Sequence, residues 1–266
     1  MAMKRGKKSQ EKYDYSKHFR LCEGGRYSVI SCINLAFIEA SIDTFKNSNT
    51  FELPHFSRDA VLWIYKNPPQ SALDEVKKYV DTLFKAAKEV FGAAFRYDFT
   101  LDTPLTIHTK WPYLPLEIGI AWHPLLNVPY IPATSLKGAV HASSPSDICG
   151  LKPDEVFGTT EKEGAVIFFD AYLTALAKEK PIEPDVLTPH YREVEGEIAE
   201  VHASPTPLVY PVVPPGSTFT FILAIKRREI PNNCETKILE TLQNVLSKGL
   251  GAKTAVGYGV FRIGRL

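Results

Sequence analysis

The chain has 266 residues, 44% of them hydrophobic, with 31 basic against 30 acidic side chains and four cysteines. Its length suits one domain enlarged by insertions better than two. No apolar run approaches the roughly 18 residues that cross a bilayer, and the polar N-terminus supplies no secretory segment, so neither membrane insertion nor secretion is expected. Cys22, Cys32, Cys149 and Cys234 show neither a Cys-x-x-Cys pair nor a regular spacing. That argues against zinc and against a disulfide framework, and predicts reduced thiols in a cytoplasmic protein.

Charge is unevenly placed. Residues 1–20 carry Lys4, Arg5, Lys7, Lys8, Lys12, Lys17 and Arg20 against Glu11 and Asp14, and their low hydrophobicity predicts a disordered basic arm, either tracking a polyanion or merely solvated. A helical extension follows over 21–94. Val29, Ile30, Ile33, Phe37, Ile38 and Ile42 suit an amphipathic helix, and Ser71 to Phe91 places its apolar residues on one face, with a Ser71/Asp74 capping box at its start and Gly92 as the stop.

From residue 95 the pattern alternates between the two periods. Residues 95–101 read as a strand, 133–143 as a helix opened by Pro132 and Thr134, and the apolar run 165–172 as one buried strand. Residues 218–225 form a third strand, 235–248 a second helix behind Pro231-Asn232-Asn233, and 256–261 a fourth strand. The order is βαββαβ, an α+β, ferredoxin-like, RRM-like domain over 95–266. Between its second and third strands lies an insert, 174–216, with eight of the twenty prolines, no convincing periodicity, and seven acidic residues against three basic. Such a segment grips phosphate poorly; if it meets a nucleic acid, it does so by wedging or stacking through His190 and Tyr191, the competing role being a contact with a neighbouring protein.

The most informative stretch is Gly249-Leu250-Gly251-Ala252-Lys253-Thr254-Ala255-Val256-Gly257-Tyr258-Gly259, which holds four of the sixteen glycines. A tight helix-to-strand connection explains one or two of them. Four around a Lys-Thr pair suit a backbone surface that meets phosphate. A Walker A loop requires Gly directly before Lys and runs from strand to helix; here Ala252 precedes Lys253 and the order is reversed, which argues against an NTP-dependent factor. A second stretch, Pro129-Tyr130-Ile131-Pro132-Ala133-Thr134-Ser135-Leu136-Lys137-Gly138-Ala139, sets Ser135 and Lys137 at a helix start, where orphan amides favour an anion.

In that order the two stretches resemble the signatures of the RAMP superfamily of CRISPR RNA-binding proteins, most closely a subunit of type III-B effector (Cmr) complexes, over roughly residues 95 to 266. Ala133 and Thr134 stand where that family more often has Gly and Ser, and His141 where it often has Arg. The resemblance implies a non-catalytic structural subunit that holds the 3′ part of a guide RNA and its duplex with target RNA in antiviral defence. It further implies that the insert acts as a thumb, and that the partners are the repeated backbone subunit, an adjacent capping subunit and the small helical subunit, with no cofactor or metal. The RNA-facing residues expected on this basis are Ser135, Lys137, Gly138, His141, His190, Tyr191, Gly249, Gly251, Lys253, Thr254, Gly257, Tyr258 and Gly259.

The alternative is a metal-independent endoribonuclease. Related target-cutting subunits carry an acidic residue between the first strand and first helix, where this chain has Glu117 with His123 close behind; an isolated carboxylate is more often a strand-edge residue. A guide-maturing enzyme would instead use His141 or His190.

Overall fold

A computed structural model describes residues 13–22, 27–69, 73–188, 192–194, 197–199, 207–226, 230–231 and 234–263. The basic residues up to Lys12, together with Ser71, Asn232, Asn233, His190 and Tyr191, lie outside them.

The chain enters on a 3-10 helix, Ser16–Cys22, followed by helices α1 (Val29–Lys46), α2 (Leu53–Lys66) and α3 (Leu73–Phe91). Residues 13–20 are therefore not a disordered arm. Tyr15 and Phe19 are fully buried, packing against the rings of Phe51, Phe56 and Trp63 at separations of 5.3 to 5.8 Å, and burial of two aromatic side chains outweighs the local charge. Ser28 caps α1, and α2, which periodicity did not single out, opens with Pro54 in its first turn.

The core strands are β1 (Ala94–Leu101), β2 (Tyr130–Ile131), β3 (Val166–Phe168), β4 (Ala171–Ala175), β9 (Thr218–Ile225) and β10 (Phe261–Ile263), with α4 (Ala133–Ala142), the short α5 (Pro153–Phe157) and α6 (Cys234–Lys248) between them. They form one antiparallel sheet in the order β10-β1-β9-β4-β2, with β3 also on β9. Fourth, first, third, second is the strand order that a βαββαβ chain dictates, so the expected ferredoxin-like plan is present. Consecutive residues of β9 from Phe219 to Ile225 are buried, which requires cover on both faces. One face carries Arg96, Thr220 and Tyr172 and lies under α3, through the Arg96–Asp81 ion pair at 2.5 Å and the Tyr79–Tyr172 edge contact at 5.3 Å. The other carries Phe99, Phe219, Phe221 and Phe261, the side of α4 and α6.

Three details differ from expectation. The single strand over 165–172 is broken at Phe169-Asp170, where the chain turns so that the Asp170 carboxylate accepts from the Ala133 amide at 2.7 Å. The strand over 256–261 is a 3-10 turn, Thr254–Val256, and only then β10. The insert is a β-ribbon rather than a structureless loop: β5 (Glu183–Leu187) pairs antiparallel with β8 (Leu208–Val212), and β6 (Arg192–Val194) with β7 (Glu197–Ala199). Pro184 and Pro211 sit directly opposite each other in the ribbon, and proline in both strands hides the strand signal.

The cysteines also depart from expectation. Cys22 bonds to Cys32, and Cys149 to Cys234, with Cα separations of 5.7 and 5.9 Å. Sequence spacing carries no information about this, because both pairs are brought together by packing. The loops they close are 10 and 85 residues long. Chain entropy therefore predicts that Cys149→Ser costs about 4–5 kcal/mol and Cys22→Ser about 3 kcal/mol, checked by denaturant unfolding of each variant.

Candidate functional site

The glycine loop is built first by its own backbone. Gly249, Gly251, Gly257 and Gly259 all have positive φ, and so does Lys253, at 63°. A Cβ on Gly251 would lie 2.4 Å from the Thr106 carbonyl, one on Gly249 2.7 Å from the Tyr258 carbonyl, and one on Gly259 1.9 Å from the Leu250 carbonyl. Three of the four glycines are thus required by close approach of the chain to itself. Only Gly257 opens onto free space. The outward part of the loop is the turn from Lys253 to Gly257, in which Ala255, Val256 and Gly257 are exposed.

Lys253 is not a free cation. Its ammonium donates to the Tyr210 hydroxyl at 2.5 Å and lies 4.9 and 4.3 Å from the ring centroids of Tyr210 and Tyr258. Both phenols donate to the Asp185 carboxylate, that of Tyr210 at 2.8 Å. Burial acts to raise the Asp185 pKa, but the hydrogen bonds from Tyr258 and Tyr210 outweigh it and hold the carboxyl below its ordinary value. Sequence reasoning missed Asp185 and Tyr210. No local motif marks them, since they sit on the ribbon strands β5 and β8 and meet the loop only in three dimensions.

The second signature lies beside the first. The segment Thr103 to His108 follows β1, and the carbonyls of Pro104 and Thr106 accept from the amides of Gly259 and Ala252 at 2.8 Å each. Two residues beyond Thr106, the His108 Nε2 is 2.7 Å from the Ser135 hydroxyl in the first turn of α4. One short segment therefore joins the glycine loop to the start of α4, and His108 is the link that sequence reading did not identify. Trp111 packs edge-on against His108 and against Tyr130, at 5.6 and 5.8 Å, with Tyr113 beside it and half exposed. Burial, with Asp170 adding to it, pushes the Tyr130 phenol up to about 12.

The N-terminal amide of α4 already has an anion, Asp170, so the bare dipole site expected there is occupied by the protein itself. Lys137 is half-buried and has no carboxylate partner among the described residues; Gly138 is exposed with nothing within 4 Å of its Cβ position. His141 is instead drawn to Asp154 at 2.8 Å, bridging α4 and α5. His123 accepts from the Leu126 amide at 3.0 Å, and burial lowers its pKa, so it is held neutral. Glu117 pairs with Lys110 at 3.7 Å. His123 and Glu117 are thus each engaged elsewhere, and no group of three His, Cys, Asp or Glu residues converges among the described residues. No helix among them is long and apolar enough to cross a membrane.

A family model described as the RAMP superfamily matches residues 98–262. The CRISPR system CMR subunit Cmr6 of Saccharolobus solfataricus is 32% identical over 195 residues, which is 73% of this chain and 66% of that protein. Cmr6 of Pyrococcus furiosus is 31% identical over 112 residues, 39% of this chain and 32% of that protein. The chain's matches thus span just under two thirds and about one third of these relatives. Among solved structures, a chain in the cryo-EM structure of the type III-B Cmr-beta bound to cognate target RNA superposes with a TM-score of 0.75 and 25% identity, over 94% of this chain and 96% of that one.

The contacts separate the glycines. Gly259→Ala should cost roughly 4 kcal/mol or more, because backbone must move, whereas Gly257→Ala should cost about 1–2 kcal/mol, the left-handed penalty alone; urea unfolding of both variants checks the ranking. Asp185→Asn should cost about 1–2 kcal/mol at pH 7. Because the carboxyl is held low, that difference is full above the ordinary carboxylate value of 3.8 and shrinks as pH falls through the lower folded value, which unfolding at a series of pH values will read.

Proposed function

Because the chain belongs to the RAMP superfamily, we propose that it is a non-catalytic, RNA-binding structural subunit of a type III-B CRISPR effector complex, working in the cytoplasm. In this reading it holds the 3′ part of the guide RNA and its duplex with target RNA. It takes its place among other Cmr subunits: the repeated backbone subunit, the capping subunit and the small helical one.

The observation that carries the proposal is the joining of the two signatures by Thr103–His108, which bonds to the glycine loop through Pro104 and Thr106 and to Ser135 of α4 through His108. Lys137 contributes a cation without a carboxylate partner among the described residues, and Lys253 one held between Tyr210 and Tyr258; Gly138 and Gly257 leave room for backbone to approach a sugar-phosphate chain; Thr254 and the bonded pair Ser135 and His108 offer hydrogen bonds. Contacts of this kind do not select sequence, which suits a protein that must accept any guide. The remaining glycines of the loop, with Tyr258, shape the turn from within. His141, tied to Asp154, serves the fold. The thumb role of the insert would rest on His190 and Tyr191, which lie outside the described residues. The relatives' names and the target RNA in the matched complex support the assignment to this class of assembly.

Guide binding should weaken steeply with salt. Replacing Lys137 or Lys253 by Ala should each lower the slope of log K against log salt by about 0.7, measured by filter binding across a salt series. An unchanged slope removes that lysine from the contact. Incubating the assembled complex with labelled RNA in EDTA should give no cleavage that depends on Glu117; cleavage present in the wild type and lost in Glu117→Ala would make the chain a nuclease.

A further inference from the structure

The connection that joins the two signatures runs out into a tip and back. The Ile107 carbonyl accepts from the Ala121 amide at 3.0 Å and the Thr109 carbonyl from the Gly119 amide at 2.6 Å, and Lys110 closes the tip by donating to the Glu117 carbonyl at 2.7 Å. Three other elements hold it. The Asn34 side chain of α1 donates to the Tyr113 carbonyl at 2.8 Å, the Ser57 hydroxyl of α2 accepts from the Glu117 amide at 2.7 Å, and Trp111 packs edge-on against Tyr130 of β2 at 5.8 Å. Leu114 and Leu116 of the tip are buried.

What this pinned tip presents is a row of rings. His108, Trp111 and Tyr113 meet in turn at 5.6 and 5.4 Å, each ring turned steeply to the next, by 88° and 67°. The row starts at α4, where His108 lies 2.7 Å from the Ser135 hydroxyl, and it ends on Tyr113, which is 55% exposed. His108 itself takes a left-handed backbone, with φ of 53°, a conformation that persists in a residue other than glycine where its surroundings impose it. An edge-on contact occupies at most one face of the Tyr113 ring, so Trp111 leaves the other face uncovered. A tyrosine with a fixed backbone and an open ring loses little entropy on meeting a flat partner.

The neighbours of that ring say what the partner is. His108 and Lys110, exposed along the row, are polar, and the row begins at the turn of α4 that carries Ser135 and Lys137. Hydroxyl and ammonium donors at one end and an open aromatic face at the other match the two parts of a nucleotide, its phosphate and its base. Because α3 lies across the helix-free face of the sheet, the tip is where rings remain open for stacking. Resting on the RNA-binding reading above, we propose that Tyr113, backed by Trp111, is the platform on which one unpaired nucleobase stacks, in the strand whose phosphates meet Lys137 and the first turn of α4. Every base has a flat π face, so the platform accepts any sequence.

The test uses the full-length chain and two end-labelled single-stranded RNAs of equal length, one of mixed sequence and one abasic at every nucleotide, which keeps the sugars and phosphates and removes the bases. Tyr113→Ala should weaken binding of the mixed strand by about tenfold or more and leave binding of the abasic strand unchanged. The slope of log K against log salt on the mixed strand should not move, since a base releases no counterions. Tyr113→Phe should stay within about twofold of wild type, whereas Tyr113→Leu, apolar but without a ring, should lose nearly as much as alanine. Equal loss on both strands overturns the proposal. So does no loss on the mixed strand, including the case where Tyr113→Ala instead sheds another subunit from the tagged complex, and so does a leucine as good as phenylalanine; in these cases the RNA-binding reading stands. If the wild type binds neither strand, both fall together.

Discussion

Two backbone hydrogen bonds hold the end of this protein against its middle, Gly259 to Pro104 and Ala252 to Thr106 at 2.8 Å each, while a third, Leu250 to Gly259 at 2.9 Å, closes the glycine loop on itself. They set where β10 enters the sheet beside β1, and they turn the Lys253–Gly257 segment outward. A Cβ on Gly249, Gly251 or Gly259 would meet the carbonyl of Tyr258, Thr106 or Leu250 respectively, so these three glycines are demanded by the fold before any ligand is considered. A composition that reads as a bare surface for phosphate is chiefly a device for self-packing, and the part left for a ligand is one short turn.

The same economy governs the other surfaces. An RRM-like sheet commonly offers its helix-free face for bases to stack on. Here α3 lies across that face, so recognition by stacking on the strands is closed off and the loop edge is what remains. The start of α4 is likewise served internally, by Asp170. Charge is nearly balanced over the whole chain, so it presents no net basic field, and its cations act only where the fold places them.

How much of this could be read in advance follows from the range of the interactions. The elements with a sustained period, α1, α3, β1, β9 and α6, were legible because their burial is written in their own spacing. The break at Phe169-Asp170 was not, since a continuous apolar run does not reveal a turn made to bring a carboxylate to a helix 37 residues away. The β5–β8 ribbon was hidden by its opposed prolines. The site was legible as two motifs. His108, which links them, and Asp185 and Tyr210, which hold Lys253 and Tyr258, belong to no motif, and contacts such as Tyr258 to Asp185 span 73 residues of sequence. Sequence spacing likewise could not foresee the disulfides.

Residues 102–129 form a long connection without a helix, a kind of segment that is ordinarily mobile unless it is tied down. Here it is tied at both ends. Near its start, Pro104 and Thr106 receive the glycine loop. Near its finish, Asn127 donates to the Tyr27 carbonyl at 2.8 Å while its side-chain oxygen accepts from the Val29 amide at 2.9 Å and the Trp122 indole at 3.0 Å. Asn34 of α1 adds a bond to the Tyr113 carbonyl at 2.8 Å. A left-handed backbone at Asn127, with φ of 54°, lets one side chain reach all three partners. The connection is therefore a strut between α1 and the glycine loop.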